Sequence, residues 1–169
     1  MNHADLVEIA VKWLRNGARV PDSSSRTGER RRNCGVVLSE MVTSTMETPD
    51  AIGWFLAGDR SVLVECKATR PDFLADKRKM FRRHKSWGCG DYRYFLAPDG
   101  LIANHEVPVG WGLLNPIGNG RVKLVMLATR MDKNKRAETN MLWSAVRRLQ
   151  NGGESYCKPI RSRSSSSSS

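Results

Sequence analysis

Two carboxylates and a lysine stand out by their spacing: Asp50, directly behind Pro49, and then Glu65 and Lys67 at the end of an apolar run. Phosphodiester hydrolysis needs a divalent cation to polarise the scissile phosphate, a water made nucleophilic near neutral pH, and positive charge for the leaving oxygen. Magnesium prefers hard oxygen ligands, keeps several waters, and typically takes one or two protein carboxylates plus a substrate phosphate. Asp50 and Glu65 fit that demand, with manganese as a substitute ion. Residues two apart on an extended chain project from one face, so Glu65 and Lys67 point the same way. Lys67 is then placed to orient the attacking water or to neutralise charge developing on phosphorus. Cys66 points away into the core and serves packing.

For these groups to meet, the chain must turn between them. Asp50 and Glu65 are 15 positions apart, with Gly58 in the turn Ala57-Gly58-Asp59-Arg60. A short strand is expected over 50–54 and another over 61–66, whose nearly continuous apolar run is typical of a strand covered on both faces. Before them, residues 34–43 read as a strand with Glu40 near its far end. Residues 5–15 carry Leu6, Ile9, Ala10, Trp13 and Leu14 at helical spacing, and Asn16-Gly17 offers a stop. Pro71 suits the first turn of a second helix over 71–85, which carries Lys79, Arg82 and Arg83 on its polar side. Strands are expected over 91–97, in the stretch 107–114 and over 121–128, followed by a basic connector over 129–137 and a helix over 138–150. The expected architecture is α/β, a mixed sheet with helices packed on it. Residues 1–150 form one domain in this reading, and the serine-rich end of 151–169 has nothing to bury against the entropy of ordering it.

The chain holds 28 Lys and Arg against 17 Asp and Glu, a formal net charge of +11, which favours a polyanionic partner, nucleic acid before an anionic membrane. No apolar run approaches the roughly 20 residues that span a bilayer. Asp5, Glu8 and Lys12 spoil a secretory signal, so the expected compartment is the cytoplasm. Cys34, Cys66, Cys89 and Cys157 form no CxxC pair and read as free thiols. His84 and Cys89 lack a second half-site with zinc-ligand spacing. Residues 21–33, ending in Arg30, Arg31 and Arg32, read as an exposed, mobile basic loop, with a DNA-contacting arm as an equal alternative.

Pro49-Asp50 followed by Glu65-x-Lys67, after an amino-terminal helix, resembles the PD-(D/E)xK nuclease superfamily. The stretch from Glu65 through Phe73 to Lys77, with Tyr92-Arg93-Tyr94-Phe95 and Gly100-Leu101-Ile102, is similar to small phage and bacterial nuclease-like proteins of the MmcB-like DNA-repair group. The resemblance spans residues 5–115. It implies a restriction-endonuclease-like core, a magnesium-dependent deoxyribonuclease, and a bacterial or phage-infected cell as its setting. It also implies Asp50 and Glu65 as magnesium ligands and Lys67 as the catalytic lysine. A further upstream acid often completes such a site; Glu40 and Glu8 are the candidates, with Glu40 favoured.

Plainer readings stand beside this one. Glu65 and Lys67 could be a same-face ion pair worth at most about 1 kcal/mol. Asp72 and Asp76 read as acids that suit a helix N-terminus. A nucleic-acid-binding module that keeps the nuclease fold without cutting is the alternative function, and a basic protein of ribonucleoprotein type with structural carboxylates is a third. No reader of base sequence is visible, so affinity is expected to come from phosphate contacts, including Arg30, Arg31, Arg32, Lys79, Arg82 and Arg83, and to fall with salt. Oligomeric state stays open, a dimer included.

Overall fold

In a computed structural model of the chain, residues 1–41, 48–56, 60–76 and 88–151 are described. Helix α1 (His3–Gly17) starts at a reciprocal cap: the Asn2 side chain accepts the Asp5 N–H at 2.9 Å, and the Asp5 carboxylate accepts the Asn2 N–H at 2.8 Å. Two helix donors that would otherwise lack partners are thereby satisfied. The buried stripe Leu6, Ala10 and Leu14 lies against the sheet.

The chain then forms β1 (Ala18–Pro21) and β2 (Glu29–Arg32), paired antiparallel as a separate two-stranded sheet. The expected loop over 21–33 is thus corrected in part: Arg30, Arg31 and Arg32 belong to a strand. Its charges are held locally, Arg30 Nε lying 2.5 Å from Asp22 and Arg19 pairing with Glu29. A strand of one acid and three consecutive arginines has no apolar period to announce it.

Six strands form the main sheet in the order β3-β4-β5-β6-β7-β8. They are β3 (Cys34–Ser39), β4 (Ala51–Phe55), β5 (Ser61–Cys66), β6 (Tyr92–Leu96), β7 (Trp111–Pro116) and β8 (Val122–Met126). Strands β3, β4 and β5 run antiparallel, β5, β6 and β7 parallel, and β8 turns back against β7. The fold is therefore α/β with a central mixed sheet flanked by helices. Parallel pairing of β5 with β6 requires a crossover, and α2 (Arg70–Asp76) lies within it. The expected helix over 71–85 agrees through Asp76; its remainder, with Lys79, Arg82 and Arg83, lies outside the described residues, as does His84 and the tail beyond 151. Helix α3 (Lys135–Gln150) begins three residues earlier than expected because the Asn134 side chain accepts the Ala137 N–H at 3.0 Å.

The sheet separates two apolar layers. On one face Val62, Val64, Cys66 and Tyr94 meet the α1 stripe. On the other, Leu63, Phe95 and Leu113 meet Phe73 of α2, Ile102 and Met141 of α3. Every residue of β5 is buried, as its apolar run leads one to expect for a strand covered on both sides. No helix among the described residues is long and apolar enough to cross a membrane.

Candidate active site

Strand register brings the sequence triad together. Ala51 pairs with Val64 across the β4–β5 ladder, so Asp50 and Glu65, one step further out, come opposite each other. The Cys66 N–H donates to Asp50 Oδ2 at 2.7 Å and fixes that carboxylate at the strand end. Lys67 continues the β5–β6 ladder by donating its own N–H to Leu96 at 2.9 Å. Its side chain shares the face of Glu65, with Nζ 3.6 Å from Glu65 Oε2. The same ammonium lies 3.2 Å from Asp76 Oδ1. These are interior charges: Glu65, Lys67 and Asp76 are 1%, 3% and 2% exposed. Asp50 is nearer solvent, where His3 Nε2 at the start of α1 stands 3.4 Å from its Oδ1.

The local sequence explains the convergence. Phe73 is buried and meets Phe95 edge to face at a centroid distance of 5.4 Å, which turns one side of α2 toward the sheet. Asp76, three positions on, falls on that same side. Its expected role as a helix N-terminal charge is therefore corrected: it is a buried partner of Lys67. Asp72 remains exposed in the first turn.

Charges of one sign crowd at this point. Burial, and next the neighbouring Glu65 carboxylate, push the Asp50 pKa up to about 6, against the opposing pull of the Cys66 N–H, Lys67 and His3. Burial works against the Lys67 ammonium, yet Glu65, Asp76, Asp72 and Asp50 together outweigh it and hold its pKa above the usual lysine value. Burial, with Asp50 and Glu65 adding to it, raises the Cys66 thiol far from thiolate, as a packing role requires.

The other expected site residues fall elsewhere. Glu40 adjoins Asp50 through its backbone, its N–H donating to Pro49 at 3.1 Å, but it leaves the strand with φ +53 and its side chain is exposed. The sequence placed it on a strand that in fact ends at Ser39. Glu8 is exposed on α1. Arg30 and Arg31 are exposed on β2, and Arg32 stands over the Phe55 ring at 5.8 Å. Asp76 and His3 are the residues that sequence reasoning missed. The helical phase of Asp76 relative to Phe73 was a usable signal; nothing local marked His3.

A second buried ionic cluster occupies the opposite end of β5. Lys133 Nζ lies 2.6 Å from Asp91 Oδ2 and 3.1 Å from Glu138 Oε2. Glu138 also accepts the Ser61 hydroxyl at 2.7 Å, the Gly90 N–H at 2.8 Å and the Trp54 indole N–H at 3.1 Å. Burial works against the Asp91 carboxylate, but bonds from Lys133 and Ser61 prevail and lower its pKa. A recess of about 840 Å³ opens beside Asp91 and Lys133. Those two charged walls are already bonded internally, so its size does not make it the reactive centre.

Chemically, the Asp50–Glu65 pair meets the requirement of a hard cation for one or two carboxylate ligands. Among the described residues, no group of three His, Cys, Asp or Glu side chains is arranged to hold a metal ion, so water and substrate would have to complete the coordination.

The molecule is thus an α/β protein with a carboxylate–lysine cluster at the carboxyl end of the interior strand β5. It is similar in structure to a protein of unknown function from Silicibacter pomeroyi, with a TM-score of 0.53 and 22% identity over 75% of this chain and 84% of that one. At that identity the likeness bears on the fold alone. Neither a protein-family model nor a curated protein matches the sequence.

Proposed function

We propose that this protein is a divalent-metal-dependent nuclease of the PD-(D/E)xK type, with a restriction-endonuclease-like core, acting on DNA in repair or in phage DNA processing. The observation that carries the reading is the pairing of Asp50 with Glu65 across β4 and β5, beside the buried Lys67. A carboxylate whose ionisation is opposed by a neighbouring carboxylate, as that of Asp50 is by Glu65, gains from a cation placed between them. In this reading Asp50 and Glu65 hold magnesium or manganese, which polarises the phosphate and supplies a water of lowered pKa. Lys67, kept protonated by its acidic neighbours, offers positive charge to the phosphoryl oxygens. Asp76 positions that ammonium. Glu40 is left out of the set because its carboxylate is not brought to the cluster.

A binding module without cleavage is the second reading. It is favoured by the internal pairing of Lys67 with Glu65 and Asp76, which satisfies the lysine without substrate.

The test is incubation of labelled single-stranded, duplex and branched DNA with the protein in magnesium, manganese or EDTA, beside Glu65→Gln, which keeps the side-chain volume. Metal-dependent cleavage reduced at least about 100-fold in Glu65→Gln is expected, since removing one directly acting polar group from an active site costs on that order. Binding without cleavage in any metal would leave the second reading.

A further inference from the structure

Away from the carboxylate cluster, a recess of about 360 Å³ lies between α1, the β1–β2 hairpin and the turn from β7 to β8. Lys12, Arg19, Arg31 and Arg121 line it together with Trp13, and among the described residues no acidic one does. Two of the cations have fixed seats: Arg19 is paired with Glu29, and Arg31 Nε donates to the Asn16 carbonyl at 2.9 Å. Lys12 and Arg121 form no ion pair among the described residues and are exposed.

Glycines make room for this convergence. A Cβ on Gly120, whose φ is +65, would stand 2.9 Å from Lys12 Nζ, so the lysine passes closely over bare backbone. A Cβ on Gly17 would collide with the Arg31 side chain. Both cations are therefore drawn against the backbone at the recess, where a larger residue would displace them.

Its place in the fold relates it to the carboxylates. Cys66 is level with Leu96, and Leu96 with Leu114, along the parallel strands. The turn after β7 consequently emerges at the same end of the strands as Glu65 and Lys67. Helix α1 joins the two places, with His3 beside Asp50 and Lys12 beside Gly120. Nine residues of helix rise about 14 Å, roughly four base-pair steps of a duplex.

We propose that this recess is a phosphate-binding subsite for a nucleic-acid strand, with Lys12 and Arg121 as the cations that meet its backbone phosphate. The proposal rests on the nucleic-acid reading given above and adds to it where the strand runs: along α1, from the Asp50 end toward the β7–β8 turn. Charge alone would also suit an anionic lipid surface, but a concave site about 14 Å along α1 from the carboxylate cluster suits a strand that continues between the two.

The experiment is fluorescence anisotropy of labelled single-stranded and duplex oligonucleotides across a salt series in EDTA. It compares the wild type, Lys12→Ala/Arg121→Ala, the charge-preserving Lys12→Arg/Arg121→Lys, and Asp50→Asn. Loss of two phosphate contacts should weaken binding on the order of 10- to 100-fold at 0.1 M salt and reduce the slope of log affinity against log salt by about 1.4 to 1.8. The charge-preserving variant should bind within about threefold of wild type, since the phosphate contacts remain, and Asp50→Asn, which removes a carboxylate beside the strand, should bind no more weakly than wild type. Arg121→Ala alone, in an exposed turn, should show about half the slope change and serves if the double variant melts early. Unchanged affinity and slope in a folded double variant would overturn the subsite, as would binding to anionic vesicles but to neither oligonucleotide. Cleavage with unchanged binding in the double variant would sink the subsite alone, whereas weakened binding with no cleavage by wild type in any metal would sink the nuclease alone.

Discussion

At its first residue strand β5 meets Asp91, Lys133 and Glu138; at its far end it meets Asp50, Lys67 and Asp76. The first cluster surrounds its carboxylates with an ammonium, a hydroxyl, an indole N–H and two backbone N–H groups, and Asp91 stays a stronger acid than usual. The second sets Asp50, Glu65 and Asp76 around one lysine, with a half-exposed histidine at its rim, and there Asp50 is a weaker acid than usual. Burial opposes ionisation in both. What differs is whether the surrounding groups offset that cost: they do so for Asp91 and not for Asp50, which is the carboxylate that the proposed function assigns to a further cation.

The sharpest way to break the comparison is to remove the cation of the first cluster. Lys133→Met should destabilise the protein by about 3 to 5 kcal/mol in urea denaturation, because Asp91 and Glu138 stay buried with their ammonium gone. DNA cleavage per folded molecule should be unchanged. A variant that keeps its stability but loses cleavage would reverse the assignment of the two ends.

Asp50→Asn should act in the opposite sense. A carboxyl whose pKa rises from 3.8 unfolded to about 6 folded binds protons more tightly in the folded protein. Stability is then greatest below pH 4 from this group, falls as pH rises toward 6, and stays reduced above it, by about 2 to 3 kcal/mol. The asparagine variant should lose that slope and be as stable as wild type or more so at pH 7, while cleavage disappears. Asp91→Asn carries the other sign. Its lowered pKa contributes stability above pH 3.8 that is lost as pH falls through the folded value, so this variant should be weaker at neutral pH. Melting temperature against pH for both variants checks the pair.

The legible part of this design lay where one strand carried both packing and chemistry. The apolar run of β5 announced a doubly covered strand, and the spacing of Glu65 and Lys67 put both on one face without reference to anything distant. Asp50 followed once a turn was placed between two strands. Asp76 was misread because an acid early in a helix has a sufficient local explanation in the dipole, whereas its burial depends on Phe73 anchoring α2 against Phe95. The first cluster was invisible for a related reason. Asp91 sits at a strand entry, Lys133 in a basic connector and Glu138 in the first turn of a helix, each ordinary by itself. Only the parallel crossover and the return of α3 bring them to Ser61. Arg30 to Arg32 defeated the reading differently, since β2 is held by pairing with β1 and by local ion pairs rather than by an apolar face.

The smallest effects should come from the solvent-facing member of each cluster, and they distinguish the ends in kind. His3 stands 3.4 Å from Asp50 and Arg130 3.5 Å from Asp91, both side chains about half exposed. Their alanine variants should each change stability by about 1 kcal/mol or less, because His3 and Arg130 are half solvated and other groups still face each carboxylate. Their kinetic consequences should part. His3 is among the groups that lower the Asp50 pKa, so His3→Ala should move the rising limb of the cleavage pH profile to higher pH. Arg130→Ala should leave the profile in place, because Asp91 does not meet substrate in this scheme. If neither variant moves the limb, the ionisation governing cleavage is not that of Asp50, and the weight of the site shifts to Glu65 and Lys67.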